Sequence, residues 1–267
     1  TMGTITVTAQ IPANGRVVRV GPFIWTPQNV WHECLLAIMN GASDPTIADS
    51  VKAKVAVDHW KLVRFDNNVG QLNVAPLPVT QGGKTKVSFL VRGTASPSTN
   101  MLRLDAQVLP PDTNIKVRVA RRIADQAKNL SGLTLDSQNN RWSYWALAGD
   151  TTGIIVGFPL GPYEETDVTV EIDFSYQAEH LKRYSMVVGQ DQDGVLAGQL
   201  TIEITAVKES EDFVYGYVNS RELHTFDCAY RRKMSPYNQV PFETIEYALA
   251  RGYDGCAFCL PGYNTDK

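Results

Sequence analysis

The sequence predicts a mainly β protein: β-sandwich domains followed by a small α+β module at the C-terminus. Three observations predict it. Short apolar runs with period-two alternation recur from residue 87 to residue 207, separated by Gly, Pro, Asn and Asp turns. A similar but sparser pattern occupies residues 1–78. Beyond residue 208 the pattern changes, and three of the four cysteines of the chain fall between residues 213 and 262.

With 267 residues, the chain has room for two or three small domains. The reading divides it into 1–78, a partial or short β-sandwich; 79–208, a β-sandwich; and 209–267, the C-terminal module. The net charge of −3 provides no global basic field toward nucleic acid. No apolar run reaches the roughly 18 to 20 residues of a membrane span. The N-terminal TMGTITVTAQ shows no basic region followed by an apolar core.

In the first segment, Ile5, Val7 and Ala9 alternate with polar residues, Pro12 to Gly15 form a turn, and Val17 to Val20 follow as a strand. Gly21 to Pro27 read as an aromatic strand bounded by proline. Cys34 to Met39 form a short apolar run that suits a core strand. Asp66, Asn67 and Asn68 are turn residues leading to a closing strand through Val74. The stretches IPANGRVVRVGPFIWTP, HECLLAIM and DNNVGQLNV resemble the second half of a CARDB-like, immunoglobulin-type bacterial adhesion domain. That resemblance implies strands ahead of residue 1, so the chain is expected to be part of a longer polypeptide or to be completed by another fragment. The alternative is a shorter sandwich complete in itself.

Residues 76–86 (PLPVTQGGKTK) read as a linker or turn. From Val87 to Val207, eight or nine strands at near-regular spacing are expected, among them Ile115–Ile123 and a segment in which Val168, Val170, Ile172 and Phe174 alternate with polar residues. Pro110–Asp112, Asn139–Asn140, Gly161–Pro162 and Asp193–Gly194 are the turns. Residues 176–184 (YQAEHLKRY) are the nearest approach to a helix and read as a short crossover.

The C-terminal segment carries the sharpest chemical signal. His224 and Cys228 are separated by three residues, and, after 27 intervening residues, Cys256 and Cys259 by two. Two short ligand pairs around a small insert are the layout of a structural zinc site, since Zn2+ takes four N or S donors at the corners of a tetrahedron. Buried non-ligating cysteines, or a redox dithiol at Cys256 and Cys259, are the competing readings. Between the pairs, Val240–Phe242 reads as a strand and Thr244 as the N-cap of a helix over Ile245–Arg251. Gly252 reads as its left-handed terminator. Ile245, Ala248 and Leu249 share one helical face. Zinc ligated by His224, Cys228, Cys256 and Cys259 would couple metal binding to folding of this small module.

The order H-x3-C, V-P-F, ETIEYALARGY and C-x2-C resembles the Ada-type zinc-binding module, over about 50 residues. The resemblance implies a structural Zn2+ held by His224, Cys228, Cys256 and Cys259. In the bacterial methyl-phosphotriester repair proteins of that family, the first ligand is a cysteine that accepts a methyl group from DNA. His224 stands there in this chain, and an imidazole cannot be that acceptor.

The remaining polar clusters carry weaker signals. His32 with Cys34 could suggest a second metal site, but no further ligand pair lies nearby in sequence. His59 and His180 are isolated. Glu164–Glu165 and Asp191/Asp193 sit in turn-rich stretches and read as solvated loops, although DQDG faintly resembles a calcium loop. Arg121–Arg122 and Arg231–Lys233 read as solvated basic clusters, the second placed where a nucleic-acid contact is the alternative. The sequence shows no Walker loop, dinucleotide fingerprint or HExxH motif. These observations together point to a non-catalytic structural or recognition component of a larger bacterial protein or assembly. A protein partner or another fragment of a longer polypeptide is its expected companion. Nucleic-acid binding through the Ada-like module is the second reading, and the non-catalytic tail of a secreted hydrolase is the third.

Overall fold

The computed structural model of the protein describes residues 33–38 and 69–265. The first segment is β1 (Glu33–Ile38), antiparallel to the long β2 (Val69–Thr80). There follow β3 (Lys84–Arg92), β4 (Ser98–Asp105), β5 (Asn114–Ala120), a short helix α1 (Arg121–Gln126), β6 (Asn129–Ser131), β7 (Thr134–Gln138), β8 (Trp142–Ala148) and β9 (Thr152–Leu160). Three long strands come next: β10 (Glu165–Asp173), β11 (Arg183–Gln192) and β12 (Val195–Val207). The C-terminal segment contains β13 (Val214–Tyr217), β14 (Glu222–Thr225), β15 (Gln239–Phe242), the helix α2 (Ile245–Leu249) and β16 (Asp254–Gly255).

Among the described residues these strands form three sheets. Seven strands lie in the order β1-β2-β12-β11-β4-β9-β6, five in the order β3-β10-β5-β8-β7, and four in the order β15-β13-β14-β16. The period-two pattern explains the first two. In β10, Val168, Val170 and Ile172 point inward, and Phe174 just beyond the strand is buried with them. In β5, Ile115, Val117 and Val119 do the same. Leu102, Leu104, Ile155, Phe158, Ile202 and Ile204 face them from the seven-stranded sheet, and the alternate residues of both sheets meet in one hydrophobic cluster. Each fully buried aliphatic or aromatic side chain contributes about 1.5–3 kcal/mol to this core.

The turns carry the expected chemistry. Asp193 and Gly194 both take positive φ (51° and 82°), which closes the β11–β12 hairpin with the twist that antiparallel strands favour. Asp193 Oδ1 also accepts the Thr99 amide at 3.0 Å, so DQDG is a hairpin turn tied to β4. Asn139 Oδ1 accepts the amides of Arg141 and Trp142 at 2.8 and 2.9 Å.

Three segments differ from expectation. Within residues 76–86, the turn is confined to Gln81–Gly83, with strand on both sides. Pro76 and Pro78 sit inside β2, opposite Glu203 and Thr205 of the parallel neighbour β12. Both positions fall on one side of the strand, and among the described residues β1 pairs with β2 from Val69 to Val74. Because β2 runs through residue 78 and links β1 to β12, residues on both sides of that position share one sheet. Second, the strand beginning at Asn114 ends at Ala120, and Arg121–Gln126 turn into a helix that buries Ile123. Third, residues 176–182 form turns instead of a helix. Leu181 takes φ 61° and its amide binds the Ala206 carbonyl, while the Tyr184 ring packs edge-on against Phe174. Contacts to β12 and the core outweigh a weak helical preference there.

The expectations for residues 1–32 and 39–68, including those for His32 and His59, lie outside the described residues. No helix among the described residues is long and apolar enough to cross a membrane.

Truncating Ile202, which is fully buried in β12, should lower the unfolding free energy by about 2–5 kcal/mol. Val108→Ala, at a surface position 61% exposed, should change it by less than about 0.5 kcal/mol. Denaturant melts of both variants check the assignment of the core.

Candidate metal centre

The third sheet places the two ligand pairs side by side. His224 lies on β14, opposite Tyr215 of β13 in antiparallel register. On its other side β14 runs parallel to the short β16, with Leu223 opposite Gly255. The Cys256 amide donates to the Leu223 carbonyl at 2.9 Å, which seats the second pair directly beside the first. Gly255 is required at this crossing: a Cβ there would lie 2.5 Å from the Leu260 carbonyl oxygen and 2.7 Å from Tyr263 Cβ. Tight turns then aim the sulfurs. The Cys228 amide binds the Thr225 carbonyl, and the Leu260 amide binds the Cys256 carbonyl.

The insert between the pairs folds as its sequence implies. Val240–Phe242 lie within β15, which pairs with β13. Thr244 Oγ1 accepts the Tyr247 amide at 3.1 Å and caps α2. Gly252 takes φ 75° just beyond the helix. Ala248 is fully buried, and with Val214, Leu223, Val240, Phe242, Tyr253 and Leu260 it forms a core of its own, against which Ile245 and Leu249 pack.

His224, Cys228, Cys256 and Cys259 come together with one ligand atom each, all within 4.8 Å of one another, and could bind a metal ion. His224 Nδ1 lies 3.5 Å from Cys228 Sγ and 4.0 Å from Cys259 Sγ. A tetrahedral shell with bonds of about 2.0 Å to nitrogen and about 2.3 Å to sulfur sets those edges near 3.5 Å. The first three residues are buried and Cys259 is partly so.

The electrostatics suit deprotonated donors around a cation. Burial lowers the His224 pKa below its ordinary value, opposed in part by Glu222, so the imidazole is neutral at pH 7. For Cys228, burial acts to raise the thiol pKa, but the amides of Arg231 and Tyr230 and the two neighbouring thiols together pull it down. Cys259 is pushed up to about 12, chiefly by burial, despite the Thr225 amide that points at its sulfur from 3.4 Å. Without a cation the cluster therefore retains protons, which a bound metal would displace.

Arg231, expected in a solvated basic cluster, is an internal strut. Its guanidinium lies 3.5 Å from the Tyr215 ring centroid and 4.7 Å from that of Phe226. It donates to the Phe226 carbonyl at 2.7 Å, to Gln239 Oε1 at 3.1 Å and to Glu209 Oε1 at 3.1 Å. A cluster of like charges in sequence hides this role, because the rings that enclose Arg231 are brought to it by the fold. Tyr237 was not foreseen either. Its hydroxyl donates to Asp173 Oδ1 at 2.5 Å, beside the ion pair of Asp173 with Lys84, and so docks the module on β10 and β3. Between the module and the β2–β3 turn is a cleft of about 320 Å³ bordered by Tyr176, Tyr215, Arg231 and Gln239.

The other singled-out groups have local partners. Nδ1 of His180 accepts the Lys208 amide at 3.1 Å. Glu164 accepts the Gly161 amide and pairs with Arg122, and Glu165 pairs with Arg92. Arg121 pairs with Asp125.

No protein-family model and no curated protein matches the chain. Solved structures do match, at low similarity. A family 123 glycoside hydrolase from Clostridium perfringens is 10% identical with a TM-score of 0.32, over 67% of this chain and 28% of the hydrolase. AvmM, which catalyses macrocyclization in alchivemycin A biosynthesis, is 11% identical with a TM-score of 0.29, over 51% of this chain and 86% of AvmM. The N-terminal domain of PorA is 9% identical with a TM-score of 0.25, over 49% of this chain and 86% of that domain. What the chain itself establishes is a mainly β protein with a His/Cys3 cluster near its C-terminus that could hold a metal ion.

Arg231→Lys keeps the charge but loses the planar fork and its stacking, and should destabilise the protein by about 1–3 kcal/mol. Arg232→Lys, at an exposed neighbour, should leave stability within about 0.5 kcal/mol. Thermal or chemical melts distinguish the strut from a solvated charge.

Proposed function

We propose that the chain is a non-catalytic structural or recognition component of a larger bacterial protein or assembly. In this reading immunoglobulin-like β-sandwich sequence carries a C-terminal Ada-like module, residues 209–267, that a structural Zn2+ staples shut. The observation that carries the proposal is the convergence of His224, Cys228, Cys256 and Cys259 within 4.8 Å. Three sulfurs and one imidazole form a donor set that favours zinc over the hard, oxygen-seeking cations.

Four protein donors also complete the tetrahedral shell. Catalytic zinc sites keep one position for water or substrate, so a closed His/Cys3 set supports a structural ion. The resemblance to the Ada-type module supports the same metal fold. His224 at the methyl-acceptor position keeps methyl transfer out of the proposal, because the acceptor must be a thiolate.

The recognition role is assigned to the loops and faces that rigid sheets present. The partner is a protein, or another fragment of a longer polypeptide. Nucleic-acid binding is the weaker alternative, because Arg231 of the basic cluster is engaged with Glu209, Phe226 and Gln239.

Elemental analysis of the purified protein should find about one zinc per chain. Cys256→Ser and His224→Ala should each lose the metal and the ordered C-terminal module together, as read by backbone NMR. A folded, metal-free module in the wild-type protein would overturn the proposal.

A further inference from the structure

We propose that Glu222 is the positioning residue of the metal centre: its carboxylate accepts the Nε2–H of His224 and so fixes Nδ1 as the metal-binding nitrogen. This rests on reading the cluster as a metal site, and it names a residue outside the four donors.

The observations are geometric. His224 turns Nδ1 toward the thiols, at 3.5 Å from Cys228 Sγ. That leaves Nε2 on the far side of the ring. The His224 side chain is only 1% exposed, and Nε2 is a buried polar atom without a hydrogen-bond partner. A buried ring N–H left unpaired costs about 1–3 kcal/mol, so such an atom demands an acceptor.

The nearest carboxylate answers that demand. Glu222 Oε2 lies 3.7 Å from Nε2, less than about 1 Å beyond hydrogen-bond range. Strand periodicity puts it there: residues 222 and 224 are two apart on β14 and so share a face. The Glu222 side chain is 38% exposed and has room to adjust its rotamer.

A neutral imidazole carries one N–H. If Nδ1 gives its lone pair to the metal, the proton must reside on Nε2, where a carboxylate acceptor holds the tautomer and raises the donor strength of the other nitrogen. A tight turn leads into the strand at Glu222. Arg221 takes φ 58°, its amide binds the Tyr217 carbonyl, and β14 begins at the next residue.

The test is a zinc-affinity cycle on the full chain, read by competition with a chromophoric chelator. Glu222→Ala should weaken zinc binding about 10–100-fold. Glu222→Gln, which retains an acceptor oxygen, should lose less. In a His224→Cys background the ring N–H is gone, so adding Glu222→Ala should have no further effect beyond about twofold. Nitrogen-15 shifts of the His224 ring in the zinc-loaded wild type should show metal on Nδ1 and a proton on Nε2. Equal losses in both backgrounds, wild-type affinity in Glu222→Ala, or metal on Nε2 would each overturn the assignment of Glu222. Wild-type protein that binds no zinc would instead overturn the metal reading on which it stands. Should Glu222→Ala fail to fold, Glu222→Gln with the ring nitrogen shifts gives the same decision.

Discussion

Three thiols and an imidazole crowded within 4.8 Å of one another face a simple constraint. As neutral groups they are weak partners, and as thiolates they repel in a partly buried site unless a cation sits among them. The raised pKa of Cys259 and the lowered one of Cys228 express that tension in the protein's own groups. The rest of the C-terminal segment is arranged to hold the four donors at this distance. Its antiparallel strands β13 and β14, the parallel contact to β16 and the glycine at residue 255 all serve that crossing. The module core around Phe242, Ala248 and Tyr253 is small, and a core of that size rarely holds a fold without a staple.

The same region faces the larger β body through a polar anchor. Tyr237 reaches Asp173 and Lys84 on β10 and β3. Arg231, three residues after Cys228, joins Tyr215 and Phe226 to Glu209 at the start of the module. Because the amides of Tyr230 and Arg231 also act to lower the Cys228 thiol pKa, the turn that carries Cys228 and the Arg231 strut are one piece of backbone.

Much of this was legible in the chain. Alternation such as Val168-x-Val170-x-Ile172 announces a strand with one buried face, and those residues are buried. The ligand spacing, the Thr244 cap and Gly252 located the module, since each is a local rule with a local cause. Non-local causes stayed hidden. A proline-bearing stretch reads as a linker unless one knows that Pro76 and Pro78 lie in a strand that runs parallel to β12. Arg231 reads as solvated because the rings that enclose it, Tyr215 and Phe226, are gathered by the fold. Glu222 carries no motif at all, and only the orphaned Nε2 of His224 marks it. Residues 176–182 follow contacts such as that of the Leu181 amide to the Ala206 carbonyl, which no local propensity encodes.

The most direct test of a metal-stapled module is hydrogen exchange measured peptide by peptide on zinc-loaded and chelator-treated protein. The account predicts slow exchange across β13 to β16 with zinc and rapid exchange without it. Protection in β4, β9, β10, β11 and β12 should persist in both states, because their core does not depend on the ligands. Equal protection of residues 214–260 with and without metal would contradict the claim that the ion holds this part of the chain together.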